Sequence, residues 1–248
     1  MNYEIPNERQ KDFVLNIKTY FNQEKNIVIY DKRNIIKIVE FESKKYVVKY
    51  FKIPHLLNQI IYRFFRDSKA KRSFYNSMRL RQMDVHTPEP IGYIEFPIRF
   101  RFKESFYVSE FFDFDFEIRA VFTDENFEDR ENILQKFIEY TYMLHKKGVY
   151  HIDYSPGNIL IKKEANNYIF SIIDVNRMKF IEFDNNLRMK SISKLTNSKE
   201  DNHFMVQHYA KVSNIDEITL QNALDTALKE QEKYLANKKR LKKIKGKS

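Results

Sequence analysis

The sequence contains no cysteine, and only four of its 248 residues are glycine. Without cysteine, the chain can form neither disulfides nor a thiolate metal site, as is usual in a reducing compartment. No stretch approaches the roughly 18 consecutive apolar residues that a membrane span needs. The N-terminal residues also lack the basic and apolar regions of a secretory signal. We therefore expect a cytoplasmic protein that is soluble or bound peripherally to a membrane.

Positive charge is concentrated at the C-terminus. The net charge is +10, and the last eleven residues contain seven Lys or Arg residues and no acid. The rest of the chain therefore has a net charge of only +3. We predict a separate basic tail over residues 238–248, which is either a solvated terminus or a segment attracted to anionic lipid or phosphorylated substrate. Nucleic acid is not expected as a partner.

The first half of the chain has the pattern of a small β-sheet. Residues 27–30, 35–41 and 46–51 are rich in β-branched and aromatic residues and are separated by short polar turns, which predicts an antiparallel meander. Apolar residues then recur at three- and four-residue steps over residues 54–66, which predicts a helix. A second helix is predicted over residues 68–83.

Two prolines follow that second helix. Pro88 and Pro90 disfavour helical backbone, so we expect the Thr87–Pro90 segment to end it. Two further strands are predicted near residues 91–96 and 105–112.

Beyond residue 112 the pattern becomes mainly helical. One helix is predicted by a stripe of apolar positions, with Gly148 at the point where helices commonly end. Residues 159–163 and 168–174 are predicted to form a hairpin, and residues 202–237 to be helical. The stripe consists of Ile133, Leu134, Phe137, Ile138, Thr141 and Leu144.

These elements predict an α+β fold with two lobes. The N-lobe, residues 1–112, would be a small antiparallel β-sheet with helices, and the C-lobe, residues 113–237, would be mainly helical. A strand-rich lobe that meets a helix-rich lobe implies a cleft between them.

The segment HIDYSPGN at residues 151–158 carries the strongest functional signal. It has the form His-x-Asp-x-x-x-x-Asn, and sixteen residues after Asn158 an apolar run ends in Asp174. Kinases use this arrangement to move the γ-phosphoryl group of ATP. We predict catalytic roles for Asp153, which would receive the proton of the acceptor hydroxyl or orient that hydroxyl, and for His151, which would brace the loop. An ordinary loop aspartate in an Asx-turn is the alternative for Asp153.

Asn158 and Asp174 are the predicted metal ligands. Mg²⁺ prefers oxygen donors and commonly takes one or two of them from the protein and the rest from phosphate and water. Asp174 would project from the tip of an apolar strand. The alternative is structural, with Asp174 capping a turn and Asn158 closing the bend at Pro156 and Gly157.

The predicted contacts with ATP come from the first lobe. Lys49, in the strand segment YVVK, has the form of the lysine that contacts the α- and β-phosphates. Exposed strand lysines are common, and it is the order of Lys49 before the catalytic loop that favours this role. The backbone around Glu110 and Phe111, where the strand-rich region ends, is predicted to bind adenine.

No glycine falls between the first two predicted strands, so the chain lacks a glycine-rich loop over the phosphates. The sequence DKRN occupies that turn instead. Lys32 and Arg33 are predicted to meet phosphate by charge, although a plain polar turn would have the same composition.

Taken together, these motifs resemble the lipopolysaccharide kinase family, the Kdo/heptose kinases, which are remote relatives of protein kinases. The resemblance covers about residues 27–180 and implies a protein-kinase-like fold that phosphorylates a sugar hydroxyl of the lipopolysaccharide inner core with ATP and Mg²⁺. It also implies a lipid-linked core saccharide as substrate, at the cytoplasmic face of the inner membrane. It rests on the segments VVK at 47–49, SKA at 68–70, TPEP at 87–90, GVYHIDYSPGNIL at 148–160 and IDVNR at 173–177.

Three features depart from the protein-kinase pattern. Val175 and Asn176 replace the Phe-Gly pair after the metal-binding aspartate, and no Ala-Pro-Glu segment follows, which argues against regulation by an activation loop. The helix glutamate that should pair with Lys49 has no clear candidate, since Ser73 and Asn76 fall near its place.

Two other functions remain open on these residues. One keeps the mechanism but changes the acceptor to a small metabolite, an antibiotic or a protein, the last being least favoured without an activation segment. The other is a pseudokinase that acts as a binding module. The missing glycines and helix acid favour the pseudokinase, whereas the presence of Asp153, Asn158 and Asp174 opposes it.

Overall fold

The computed structural model describes residues 1–32, 34–52, 67–98, 101–165 and 167–245. The chain forms two compact units, the first made of Met1–Asp113 with Ser171–Arg177 and the second of Phe114–Phe170 with Met178–Ser248. The sequence placed a single lobe boundary near residue 112. No local pattern in the sequence indicated that Ser171–Arg177 would return to the first unit. The predicted helix over residues 54–66 and the predicted phosphate contact Arg33 lie outside the described residues.

A six-stranded sheet forms the first unit, with the strand order β1-β5-β6-β4-β3-β2 and antiparallel pairing. The meander predicted over residues 27–51 is confirmed as β2, β3 and β4. Glu42 and Ser43 close the β3–β4 hairpin with φ angles of 47° and 59°, as a two-residue turn of this kind requires. The strands are β1 Asn2–Glu4, β2 Ile27–Asp31, β3 Asn34–Phe41, β4 Lys44–Phe51, β5 Pro90–Ile98 and β6 Arg101–Glu110.

Helices cover both faces of this sheet. Two short helices that the sequence did not predict, α1 Lys11–Leu15 and α2 Ile17–Phe21, pack in a core cluster with Tyr46 and Val48 of β4. Alternate residues of a strand point to opposite faces of the sheet, so Phe51 lies on the other face from Tyr46 and Val48. It packs there with the third helix, α3 Lys69–Gln82. Lys49 therefore lies on a strand that is fixed from both sides.

Helix α3 confirms the predicted span of 68–83 almost residue for residue. Ser68 caps it by accepting the Lys71 N–H at 3.0 Å. The helix ends by its own C-terminal turn, in which Asp84 has φ 52° and the Val85 N–H donates to the Leu80 carbonyl at 2.9 Å. The expectation that the Thr87–Pro90 segment ends the helix was wrong, because this turn closes it first.

The second unit is mainly helical in its described part. The helices are α4 Ile118–Thr123, α5 Arg130–Lys146, α6 Asn185–Ile192, α7 Lys199–Ser213 and α8 Glu217–Lys245. The strands that flank residues 152–158, β8 and β9, belong to two small sheets ordered β11-β8 and β10-β9-β7. Their strands are β7 Phe116–Glu117, β8 Val149–His151, β9 Ile159–Glu164, β10 Asn167–Ile172 and β11 Met178–Phe180.

Helix α5 confirms the predicted stripe, since all six of its members are buried. Gly148 follows with φ 70°, and a Cβ there would lie 2.9 Å from the carbonyl oxygen of Ile181. A side chain at this position would therefore suffer both strain and a backbone clash. The turn puts β8, and the predicted catalytic loop after it, directly beyond the end of α5.

The helical stretch predicted over residues 202–237 consists of two helices, separated at Asn214, which has φ 57°. Helix α8 buries one face of its first half, through Leu220, Ala223, Leu224 and Ala227, and continues to Lys245. The predicted tail is therefore helical over residues 238–245. In the described part of the chain, no helix is both long and apolar enough to cross a lipid bilayer.

Candidate active site

The backbone of Asp153 is held on both sides. Its N–H donates to Nδ1 of His151 at 3.1 Å, and its carbonyl accepts from Nδ2 of Asn158 at 2.8 Å. The first residue of the predicted motif and the last one thus both bind the backbone of the central aspartate. The loop between β8 and β9 is therefore a closed turn in which the backbone of Asp153 is held on both sides.

His151 is nearly fully buried on β8, where it pairs with Met178 of β11. Because its Nδ1 accepts the Asp153 N–H, the neutral ring carries its proton on Nε2. Its role in bracing the loop stays a prediction, which this contact to the loop backbone favours.

Asn158 has its amide nitrogen committed to the Asp153 carbonyl, which can only accept. The amide oxygen is therefore directed away from that carbonyl, and an amide oxygen is a suitable donor for a hard cation such as Mg²⁺.

The next residue of the loop, Tyr154, anchors it in the core of the second unit. Its hydroxyl forms a hydrogen bond of 2.9 Å with Oγ1 of Thr141 on α5, and its ring stacks with that of Phe137. Burial raises the pKa of Tyr154 well above its ordinary value, so the hydroxyl stays protonated. Immediately after Asp153, the loop is therefore tied to the buried face of α5.

Asp174 lies two residues beyond the end of β10, which stops at Ile172 and not at Asp174 as the sequence suggested. It has φ 57°, a left-handed conformation that aspartate tolerates better than most residues. Its Oδ1 accepts the Asn176 side-chain amide at 2.7 Å and forms an ion pair with the Nζ of Lys49. The Asn176 amide and the Lys49 ammonium group thus both hold this carboxylate.

Lys49 points from β4 to this carboxylate, and only 12% of its side chain is exposed. The sequence left the partner of Lys49 open, and the structure identifies it as Asp174. Helix α3 supplies no acid for this lysine. Instead, Asn76 donates to the Val175 carbonyl at 2.7 Å, and Arg72 donates through Nε to the Asn176 carbonyl at 3.1 Å. Helix α3 therefore holds the segment that carries Asp174 by its main chain.

The predicted adenine-binding backbone is partly engaged within the first unit. The Glu110 N–H donates to the Glu89 carbonyl at 2.8 Å, and the Phe111 N–H donates to the Lys45 carbonyl at 3.0 Å. A purine at this position would have to use carbonyl oxygens here or the N–H of the following residue, Phe112.

The β2–β3 turn replaces the missing glycine-rich loop, and Lys52 closes it. The ammonium group of Lys52 binds Asp31 Oδ1 at 2.7 Å and the Lys32 carbonyl at 2.9 Å. The Lys32 side chain is exposed. Lys52 therefore holds the Asp31–Lys32 part of the turn, and the predicted phosphate contact of the exposed Lys32 stays a prediction.

The predicted residues fall into two groups. Asp153, His151 and Asn158 meet in the second unit, whereas Lys49 and Asp174 meet in the first. The convergence of Asp153, Asn158 and Asp174 on one metal–nucleotide pocket stays a prediction.

Sequence reasoning missed the contacts that support the two groups. Arg72, Asn76 and Lys194 are distant in sequence from the main-chain carbonyls to which they donate, and Lys194 donates to the Ile152 carbonyl at 2.9 Å. Asn176 lies only two residues after Asp174, but its contact with that carboxylate was not predicted either.

A braced loop aspartate, an asparagine five residues later and a strand lysine paired with a second aspartate are typical of protein-kinase-like phosphotransferases. The model of the lipopolysaccharide kinase (Kdo/WaaP) family matches residues 23–215. The chain therefore belongs to this family, and the resemblance inferred from the motifs is confirmed.

A solved structure described as "WaaP in complex with acyl carrier protein" has a similar fold. The TM-score is 0.64 at 15% sequence identity, and the match covers 93% of this chain and 99% of that one. At this identity the likeness supports the fold alone, and it confirms the predicted α+β, protein-kinase-like class. No curated protein matches the chain.

Family membership defines the activity at a coarse level. The protein is a kinase of the lipopolysaccharide core, an ATP-dependent phosphotransferase that acts on a sugar hydroxyl. The predicted reaction type and the use of ATP are confirmed at this level.

Proposed function

We propose that the protein transfers the γ-phosphoryl group of ATP to a hydroxyl of Kdo or heptose in the inner core of lipopolysaccharide. Family membership supports the reaction class. The observation that carries the proposal is the double hold on the Asp153 backbone by His151 and Asn158. A group that orients an acceptor hydroxyl must be placed accurately, since a misplacement of about 1 Å can cost a hundredfold in rate.

In this proposal Asp153 orients the acceptor hydroxyl and takes its proton as the oxygen attacks the γ-phosphorus, while the bond from that phosphorus to the β,γ-bridging oxygen breaks and ADP leaves. Lys49 neutralises the α- and β-phosphates, and the outward side chain of Lys32 adds charge near them. The backbone around Glu110 and Phe111 binds adenine. His151 acts through the loop backbone. Arg33 is retained as a phosphate contact on the sequence alone.

Asn158 and Asp174 are the proposed ligands of Mg²⁺. The free direction of the Asn158 amide oxygen and the carboxylate of Asp174 provide the hard oxygen donors that this ion prefers. When bound, Mg²⁺ would neutralise charge on the phosphates. Among the described residues, no three or more His, Cys, Asp or Glu side chains form a group that could hold a metal ion. In this proposal phosphate oxygens and water complete the coordination.

We further propose that the protein acts at the cytoplasmic face of the inner membrane, held there peripherally, because its acceptor is a lipid-linked saccharide. The C-terminal half of α8 supports this idea. Residues 232–240 are exposed throughout, and no acidic residue follows Glu232 while eight Lys or Arg residues do. A cationic helix of this kind is attracted to anionic headgroups.

Mass spectrometry of lipopolysaccharide tests the proposal. Cells without the gene should lose one phosphate per core, and the wild-type chain should restore it. The Asp153→Asn variant should not restore it. Asp225→Asn, which changes an exposed carboxylate on α8, serves as the matched control and should restore it fully. An unchanged core mass in the deletion strain would refute the assignment.

Purified chain with Mg²⁺-ATP and dephosphorylated cores then identifies the sugar. A core that ends in Kdo and a core extended by heptose offer the two acceptors separately. Phosphate found on Kdo or on heptose selects between the two, and phosphate on neither acceptor would contradict the proposal.

A further inference from the structure

We propose that Lys194 is a positioning residue of the catalytic loop, which fixes the peptide group joining Ile152 to Asp153. Lys194 follows helix α6 and lies 42 residues after Ile152. Its ammonium group donates to the Ile152 carbonyl at 2.9 Å. The inference rests on the proposed function, because it assigns Lys194 a task in presenting Asp153.

The Ile152 carbonyl and the Asp153 N–H are two ends of the same planar peptide group. Lys194 binds the oxygen end, and His151 accepts the N–H end at 3.1 Å. Any rotation of this peptide would break both hydrogen bonds at once. Since the Asn158 amide holds the next carbonyl, all three main-chain groups that surround the Asp153 side chain are fixed.

The charge of Lys194 matters as well as its reach. A hydrogen bond from an ammonium group to a carbonyl is stronger than a neutral one. Such a bond also polarises the peptide, which makes the Asp153 N–H a better donor to His151. Replacement of Lys194 by a neutral residue should therefore loosen the His151 contact too.

The lysine is held firmly at both ends. Its neighbours Ser193 and Leu195 are buried, and the Leu195 N–H donates to the Ile192 carbonyl at 2.9 Å. The ammonium group lies 5.2 Å from the ring centroid of Tyr150 and 3.4 Å from its hydroxyl oxygen. A cation over an aromatic ring is stabilised by the electrons of the ring face. These contacts aim the ammonium group at the peptide before Asp153.

Kinetics provide the first test. Lys194→Met should lower kcat about 10- to 100-fold, in line with the known sensitivity to misplaced groups, and should leave the KM for ATP within about twofold. Lys194→Arg should restore part of kcat, because a guanidinium can still donate to the carbonyl. Lys190→Met is the matched control, since Lys190 also belongs to this region but pairs with Glu230 at 2.8 Å. Equal losses in Lys190→Met and Lys194→Met, or no loss in Lys194→Met, would overturn the proposal.

A spectroscopic test does not depend on activity. The sequence contains three Ile-Asp pairs, at 152–153, 173–174 and 215–216. Labelling of isoleucine carbonyls with ¹³C and of aspartate amides with ¹⁵N therefore leaves three cross-peaks. Lys194→Met should shift the 152–153 peak and leave the 215–216 peak in place. An unmoved 152–153 peak would overturn the proposal.

The two tests also distinguish a failure of the proposed function from a failure of the Lys194 proposal. If wild-type protein phosphorylates no core acceptor but the 152–153 peak shifts in Lys194→Met, the proposed function fails and the Lys194 contact stands. If wild-type protein is active while the peak and kcat are both unchanged in Lys194→Met, only the Lys194 proposal fails.

Discussion

Lys49 and Asp174 form an ion pair across 125 residues of sequence. The cation proposed for the phosphates and the carboxylate proposed for Mg²⁺ are thus joined within one unit. The pairing explains how Lys49 is held without the acidic helix residue that protein kinases use. Because the two side chains hold each other, replacement of either one should also change the position of the other.

Removal of either partner should abolish most of the activity, and the two losses should not add. Lys49→Met and Asp174→Asn are each expected to lower kcat at least about 100-fold, because each removes charge that faces the phosphates or the metal. The double variant should be little worse than the more damaged single variant, as is usual for residues that act as a unit. Phosphotransfer to core acceptor measures all three.

Lys44→Met is a suitable control for this series, because Lys44 is an exposed lysine at the start of the same strand. It should behave as the wild type. If Lys49→Met had the same kcat as the wild type, Lys49 would have no role in phosphoryl transfer.

Loss of the Asn76 amide should weaken the segment that carries Asp174. Asn76→Ala leaves the Val175 carbonyl without this donor, which should cost about 1–3 kcal/mol of unfolding free energy. Urea denaturation measures that loss, and kcat should fall with it. Lys71→Ala on the same helix removes a partly exposed ion pair with Asp67 and a cation–π contact with Tyr75, and should cost less than about 1 kcal/mol. Similar losses in both variants would show that the Asn76 contact has no special importance.

Stability should fall as the medium becomes acidic, because of His145 in the second unit. Burial, followed by the nearby Arg188 charge, lowers the pKa of His145 from 6.5 to about 3. Arg188 donates to the Tyr209 hydroxyl, which in turn can donate to Nδ1 of His145, so the folded protein needs the neutral ring. Below about pH 6.5 the unfolded chain binds a proton that the folded chain does not.

The resulting penalty grows by about 1.4 kcal/mol per pH unit between pH 6.5 and pH 3 and is absent at higher pH. In His145→Asn, which keeps an acceptor near the Nδ1 position, this component should vanish although overall stability falls. Denaturant titrations between pH 5 and 8 compare the two slopes. Parallel curves for the wild type and the variant would contradict the assignment.

The exposed end of α8 should bind anionic membranes. Neutralising Lys238, Lys239 and Arg240 to Gln should weaken binding to vesicles that contain phosphatidylglycerol by about 3 kcal/mol, at roughly 1 kcal/mol per basic residue. Co-sedimentation at several salt concentrations measures this change. A triple control at Lys25, Lys44 and Lys45, which are exposed in the first unit, should bind normally. Equal loss in both triple variants would indicate only a general charge effect.

Local patterns in the sequence predicted much of the fold. The β2–β4 meander, α3 and α5 have strong periodicity or clear caps, and each formed close to its predicted bounds. The short helices α1 and α2 were missed, because five residues are too few to show a helical period and their stability comes from packing on the sheet.

The candidate site was predictable only where it is a motif. The loop from His151 to Asn158 is recognisable by the spacing of its His, Asp and Asn residues, and the contacts inside it are local. The partner of Lys49 and the donor to the Ile152 carbonyl come from distant parts of the chain, and nothing in a single sequence links such residues. The return of Ser171–Arg177 to the first unit was hidden for the same reason.

The way in which α3 holds the Asp174 segment has a consequence for control of the enzyme. Kinases that rely on a lysine–glutamate pair can be switched off by a helix that swings and breaks it. Here Asn76 and Arg72 of the helix donate hydrogen bonds to main-chain carbonyls. These hydrogen bonds do not depend on which side chains follow Asp174. We therefore expect the enzyme to fold directly into its active conformation. Its rate should depend on the concentration of acceptor and not on an inhibitory conformational change.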